Sequence, residues 1–335
     1  VYDLKFSDKV FKVRTNSSVL HDELMRYFSN FTVDEAPFQL EITVHEAPEP
    51  DFPVKFTQKT PDPGKKRIKE EYADIQGGRI VRKRLTGMHF IFGAELHVAV
   101  GPCLENPNQV VNFINNRFIA LKLNEGCLLG HAAGVEYEGR GLALAGFSGA
   151  GKSTLALHLM SHGLKFISND RLIVRKNSAG GLKMFGVAKL PRINPGTVLS
   201  NPDLGSVMTA RDRERFEGLH IDDLWLLEHK YDVLIDKCFG PGKFRIESVM
   251  MGLVILNWSR KSCKKTAAKI VDPMVRRDLL PAFMKSEGLF FLTEGRDRDI
   301  SEDAYGKLLG GCEVVEISGG VDFDKAVDIC MSMLT

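Results

Sequence analysis

The stretch Gly146-Phe147-Ser148-Gly149-Ala150-Gly151-Lys152-Ser153 constrains this chain more than any other. It has the spacing G-x-x-x-x-G-K-S. The apolar run Leu142 to Ala145 enters it, and an amphipathic stretch from Lys152 to His162, closed by Gly163, leaves it. Glycines let a backbone curl around an anion with no Cβ in the way. The amides from Ser148 to Ser153 then converge as a nest, and the start of a helix adds positive potential. An ordinary glycine turn is the competing reading, and the complete motif with both flanks in place disfavours it. The prediction is strand, phosphate-binding loop and helix, holding a nucleoside triphosphate, ATP, with Mg2+. Gly146, Ser148, Gly149, Ala150, Gly151, Lys152, Ser153 and Thr154 form the expected cradle. Lys152 reaches the β- and γ-phosphates and Ser153 ligates the metal.

Composition bounds the rest. At about 150 residues per domain, 335 residues predict two domains. A hydrophobic fraction of 44% excludes a largely disordered chain. Lys+Arg number 45 against 43 Asp+Glu, so no global charge points to nucleic acid. No apolar run approaches the roughly 18 residues that would span a bilayer, so no membrane partner is expected. Six cysteines, at 103, 127, 238, 263, 312 and 330, are scattered without a CxxC pair. That pattern predicts reduced thiols in a cytoplasmic protein and no zinc site. The chain opens on Val1-Tyr2-Asp3, as expected where a tag or a few residues have been removed.

Periodicity organises the chain into two parts. Ser17-Ser18 caps a helix carrying Leu20, Leu24 and Phe28. Phe38 to Val44 alternates as a strand, and a proline-rich connection runs from Ala47 to Gly64 through Pro63. Strands at Arg79 to Leu85, Met88 to Phe92 and Leu96 to Val100 form a meander. A helix over Pro107 to Asn124 ends at Gly126. Residues 1–125 therefore read as a small α+β domain. Residues 126–335 begin with a strand over Cys127 to Tyr137, turn at Glu138 to Gly141 and enter the loop. After the helix come strands at Leu164 to Ser168 and Leu172 to Val174, then a turn and an antiparallel return over Leu182 to Val187. That return predicts a mixed sheet instead of a run of βα crossovers. Strands at Tyr231 to Asp236 and Leu253 to Trp258, a helix over Met274 to Lys285 and a βα unit over Val314 to Leu334 complete the reading.

Other residues around the loop carry chemistry. Asn169 and Asp170 follow the strand after the helix. If that strand lies parallel beside the loop strand, both sit at its carboxyl end near the phosphates. Asp170 can then hold Mg2+ or accept a proton from an attacking hydroxyl, whereas Asn169 can only coordinate or orient. A turn carboxylate bonding its own backbone is the competing reading for Asp170. His131 sits among small residues in Leu128 to Gly134, where a structural histidine is the commoner outcome. His158 and His162, four apart, have metal-pair spacing but no third ligand. Pro191 to Thr197 and Phe239 to Arg245 are rigid loops with cations that could clamp or close over phosphate. The basic runs Arg79 to Arg84 and Arg260 to Lys269 read as solvated faces.

His131, Gly139 and Gly141, the loop Gly146 to Ser153, Ala156-Leu157, Gly163 and Asn169-Asp170 together resemble the catalytic core of bacterial HPr kinase/phosphorylase. Asn108 to Phe118, Pro191 to Thr197 and Phe239 to Gly242 extend the likeness to the group called HprK-related kinase B. The resemblance implies an α/β fold with a mixed-sheet P-loop kinase core, of the type shared with phosphoenolpyruvate carboxykinases. It implies transfer of the ATP γ-phosphate to a serine hydroxyl. In that family an acidic pair follows the strand, its first member acting as base, and a glutamate follows the loop serine. Here those positions are Asn169 and Thr154, which puts HPr itself and phosphorolysis in doubt. The family forms ring-like homo-oligomers.

Taken together, the sequence predicts an ATP- and Mg2+-dependent kinase acting on Ser or Thr of a peptide or protein, with a substrate encoded nearby as one candidate. Lys152, Asp170, His131 and Asn169 are its catalytic candidates, Ser153 and Asp170 its metal ligands, and the N-terminal domain its partner-recognition part. A kinase of free serine or a sugar, and a nucleotide-binding switch favoured by Asn169, are the rival readings.

Overall fold

Local chemistry sets the first helix. The Ser17 side chain accepts a hydrogen bond from the Leu20 amide and starts α1 (Ser18–Tyr27), which buries Leu20 and Leu24. This is a computed structural model of the chain that describes residues 1–61, 67–220, 223–224, 227, 229–295 and 298–335. The chain divides into two units, Val1–Asn124 with Glu287–Asp297, and Glu125–Ser286 with Arg298–Thr335.

In the first unit, strands β1 (Tyr2–Phe6), β2 (Lys9–Thr15), β3 (Thr32–Val33), β4 (Leu40–Glu46), β5 (Thr57–Gln58), β6 (Glu70–Ile75), β7 (Gly78–Lys83), β8 (His89–Gly93) and β9 (His97–Gly101) form one sheet. Its order is β3-β1-β2-β4-β9-β8-β7-β6-β5. β2, β4 and β9 run parallel, while β9 through β5 form an antiparallel meander. Helix α2 (Pro107–Asn124) buries Val110, Phe113, Ile114 and Phe118. The Phe6 ring stands 5.4 to 5.7 Å from those of Phe11, Phe28, Phe31 and Phe118.

Three expectations change here. Glu287–Asp297, assigned by sequence to the second part, belongs with the first. The Phe290 ring explains this, lying 5.5 Å from Phe90 and stacked 5.7 Å from Phe92. The proline-rich connection contains the two-residue β5, and Pro63 and Gly64 lie outside the described residues. The basic run on β7 is paired: Arg79 meets Asp74 at 2.6 Å, and Arg82 meets Glu49 at 2.6 Å and Glu71 at 3.1 Å.

The second unit has a mixed sheet. Its strands are β10 (Leu128–Gly130), β11 (Ala132–Tyr137), β12 (Arg140–Gly146), β13 (Lys165–Ser168), β14 (Leu172–Lys176) and β15 (Leu182–Phe185). After the short pair β16 (Arg192–Ile193) and β17 (Tyr231–Asp232) come β18 (Glu247–Trp258), β19 (Ala267–Ile270) and β20 (Glu313–Gly319). The order is β10-β14-β15-β18-β12-β11-β13, with β20 also on β18. β12 and β18 are parallel, with Gly146 opposite Leu256. Both faces of this pair are covered. Leu142, Leu144, Val254 and Leu256 pack with Leu155, Leu159 and Val327, while Ala143, Ala145, Leu253 and Ile255 pack with Leu280, Phe283 and Leu309. Double coverage is why β12 reads as a continuous apolar run.

Four further readings change. The strand over Cys127 to Tyr137 breaks at His131: β10 pairs β14, and β11 pairs β12 and β13. β13 points the same way as β12 but is not its neighbour, because β11 lies between them. Tyr231 to Asp236 yields only β17 before the helix Ile235–Phe239. Met274 to Lys285 contains a 3-10 helix, Arg277–Ala282, with Pro281 inside it. Proline lacks the N–H that an α-helix would need there. No helix among the described residues is long and apolar enough to cross a membrane.

Phe6→Ala should cost about 3–5 kcal/mol, since it empties a site ringed by four aromatic side chains. Chemical denaturation followed by circular dichroism measures this.

Candidate functional site

β12 ends at Gly146, and the chain curls through Ser148 to Gly151 before helix α3 (Lys152–Ser161) begins. Gly149 has φ 80 and Gly151 has φ 91, a region that L side chains rarely adopt. At Gly151 a Cβ would also come within 2.8 Å of the Phe323 ring. The loop is pinned from inside by Ala150 N–H donating to Phe147 O at 3.1 Å. It is pinned from outside by Trp258 Nε1 donating to Ala150 O at 2.7 Å. Gly151 occupies the cap position, and no side chain caps the helix. α1 and α4 (Pro195–Ser200), by contrast, are capped by Ser17 and Asn194. The first amides of α3 are therefore left for another acceptor, which an anion satisfies.

Lys152 is buried at the start of α3, and its ammonium donates to Gly146 O at 2.7 Å. Burial lowers its pKa, with Lys285 pushing the same way and Asp170 opposing. Lys152, Asp170 and Lys285 thus share one electrostatic neighbourhood. Within it, His131 Nε2 lies 3.0 Å from Asp170 Oδ1, and Lys285 Nζ lies 3.1 Å from Asp170 Oδ2. Burial alone would raise the Asp170 carboxyl. The His131 hydrogen bond and the Lys285 charge outweigh it and hold the group well below the usual carboxylate range.

Backbone contacts bring these groups together. The His131 amide donates to Phe283 O at 2.5 Å, and the Lys285 amide donates to Leu129 O at 3.2 Å. Gly130 bridges Met284 between them. A Cβ on Gly130 would lie 2.4 Å from the Phe283 ring, so this approach requires glycine. Lys285 is the site residue that sequence reasoning missed. The sequence pattern places it at the end of a helix, and nothing local points to Asp170.

The remaining candidates fall out differently. Asn169 sits beside Asp170, and its Oδ1 is buried without a partner among the described residues. Ser153 lies in the first turn of α3. Thr154 is buried with its hydroxyl 2.8 Å from that of Thr197, so its side chain ties α3 to the Pro191–Thr197 loop instead of entering the cradle. In that loop Arg192 is paired with Asp232 at 3.2 Å. The Phe239–Arg245 loop does not close over the phosphate loop. It runs along β13, where the Phe166 amide donates to Lys243 O at 2.7 Å and the Arg245 amide to Phe166 O at 2.8 Å. Lys243 Nζ reaches Gly163 O at 2.8 Å, at the far end of α3. His158 stacks on Phe323, and the His162 ring lies 3.0 Å from His158 O. Among the described residues no three His, Cys, Asp or Glu side chains form a metal cluster.

No protein-family model matches the chain, and no curated protein matches its sequence. One solved structure it is similar to is an Hpr(Ser) kinase/phosphatase from Coxiella burnetii. The two share 11% identity over 62% of this chain and 87% of the other, at a TM-score of 0.31. A likeness that slight leaves the reading of the site to the geometry above.

Two outcomes follow. Gly130→Ala should cost about 1–3 kcal/mol in denaturant unfolding, because the methyl group must displace Phe283. Lys285→Met lets the native Asp170 pKa rise toward 3.8, its ordinary value. A depressed carboxylate stabilises the fold above its unfolded pKa, and that contribution is lost as pH falls through the native pKa. The wild type should therefore exceed Lys285→Met by at most about 1 kcal/mol at pH 7, since the Asp170 side chain is 54% exposed. The gap should shrink below pH 4. Urea titrations across that range measure it.

Proposed function

We propose that the chain is an ATP-dependent phosphotransferase that moves the γ-phosphate to a Ser or Thr hydroxyl of a peptide or protein. One observation carries this reading: an uncapped, glycine-turned helix start with a buried lysine follows β12, and the pairing of Ala132 with Ala145 brings His131, with Asp170 held between it and Lys285, to the same edge of the sheet. The resemblance of His131 through Asp170 to HPr kinase/phosphorylase supports the same reading.

The donor set suits the nucleotide. The free amides at the start of α3 and the Lys152 ammonium supply positive charge where phosphate oxygens would sit. Lys152 would exchange its bond to Gly146 O for the β- and γ-phosphates. The Ser153 hydroxyl, the Asp170 carboxylate and the unpartnered Asn169 Oδ1 are hard oxygen donors of the kind Mg2+ takes, with water completing its shell. When bound, Mg2+ would neutralise charge on the β- and γ-oxygens.

In transfer, the acceptor oxygen forms a bond to the γ-phosphorus as the bond to the β–γ bridging oxygen breaks, and the hydroxyl proton leaves to the protein. With its pKa so low, Asp170 is a weak base and a strong hydrogen-bond acceptor. It aligns the hydroxyl, takes its proton as the new O–P bond forms and releases it to water, while His131 Nε2, 3.0 Å from Asp170 Oδ1, donates to the carboxylate and keeps it in place. Asn169 cannot take a proton. That one feature favours a second reading, a nucleotide-binding switch with little transfer.

Incubation with γ-labelled ATP, Mg2+ and candidate acceptors, including proteins encoded beside the gene, decides between them. Lys152→Ala should lower labelling at least about 100-fold, and Asp170→Asn by a similar factor, while circular dichroism is unchanged. Full activity in Asp170→Asn would refute its role. ATP binding without any labelled acceptor would favour the switch, and labelling of free serine or a sugar would make it a small-molecule kinase.

A further inference from the structure

The first unit contains a cavity of about 900 Å³ lined in part by Phe92, His97, Arg117, Leu121 and Leu292. That is a volume typical of small-molecule sites. Arg117 is the unusual wall. It projects from α2 and is only 4% exposed, with its guanidinium 4.1 Å from the centre of the Phe92 ring and 5.3 Å from that of Phe113. Its one hydrogen bond among the described residues runs from Nη2 to the Phe290 carbonyl. Nε is buried without a partner among the described residues.

No carboxylate among the described residues pairs with this cation. Of the acids around the cavity, Asp74 holds Arg79 at 2.6 Å and Glu41 holds Arg14 at 2.7 Å. Glu95 and Glu294 are exposed to solvent. His97, 7% exposed, also leaves its Nδ1 without a partner among the described residues. Burial pushes Arg117 down to about 9, and burial with the Arg117 charge pushes His97 down to about 4. At neutral pH the cavity therefore holds one buried positive charge and a neutral imidazole. A buried charge without a counter-ion is costly, and a guanidinium has the planar donor set that matches a carboxylate.

We propose that this cavity binds a small organic monocarboxylate whose carboxylate pairs with Arg117 and whose apolar body lies against Leu121 and Leu292. The surrounding acids select for a single negative charge: Glu95 and Glu294 repel a phosphate dianion, whereas one carboxylate balances Arg117. The site lies wholly within the first unit and does not depend on the phosphotransfer reading.

The test uses the full chain and three probes, phenylacetate, indole-3-acetate and N-acetyl-leucine, each beside its neutral amide, followed by ligand-observed NMR. At least one carboxylate should bind roughly tenfold more tightly than its amide, because a charge-assisted bond replaces a neutral one. Arg117→Met should abolish that preference with circular dichroism unchanged. If Arg117→Met does not fold, Arg117→Lys decides, since it keeps the charge and loses the planar fork, and should weaken the preference. The proposal is overturned if no carboxylate binds, if acid and amide bind alike, if the preference survives substitution at Arg117, or if inorganic phosphate binds more tightly than all three probes.

Discussion

The parallel register of β12 on β18 is the constraint on which the second unit depends. It puts Gly146 opposite Leu256 at the carboxyl edge of the sheet, with both faces of the pair packed. β12 cannot continue past that edge without losing its cover, and the chain must turn back as α3. β18 runs two residues further, and Trp258 reaches from there to the Ala150 carbonyl. A stiff, doubly covered strand pair thus fixes both ends of a glycine loop whose own sequence has little stiffness. Pre-arranged amides are worth more to an anion than amides that must be ordered on binding.

Electrostatics then complete what topology begins. The carboxyl edge concentrates cations: Lys152 from the loop and Lys285 from a segment more than a hundred residues later. Asp170 makes that crowding tolerable, because it lies between Lys285 and His131 and acts favourably on Lys152. The price is a carboxylate too acidic to be a good base. Under the proposed reading, that acidity would matter little, because in phosphoryl transfer positioning and charge neutralisation carry more of the barrier than proton abstraction does.

How much of this was legible depends on the range of each interaction. The loop and α3 were readable because they are local: the motif, the apolar run before it and the glycine after it all fall within one stretch of chain. The mixed sheet followed from the tight turn between β14 and β15. What failed was non-local. Cys127 to Tyr137 looks like one strand, and the break at His131 comes from a different partner on each side. The Met274 to Lys285 periodicity suggested a helix, and Pro281 with the backbone pairing to Leu129 and His131 gave a 3-10 turn and an extended end. Phe290 reads as second-part sequence, and only its packing on Phe90 and Phe92 shows otherwise. Lys285 was missed for the same reason, since no local pattern announces a partner at position 170.

The two departures from the HPr kinase pattern acquire different meanings in the structure. Thr154 is accounted for by packing: its buried hydroxyl joins Thr197, and a charged glutamate could not occupy that place without a counter-charge. Asn169 has no such account, because its buried oxygen has no partner among the described residues. An unpaired buried acceptor is costly, and a bound partner would relieve that cost. Mg2+ held by that oxygen would be such a partner. Under the proposed reading, asparagine at this position would help hold the metal and leave the proton to Asp170, so the loss of the first acid would not by itself remove transfer chemistry.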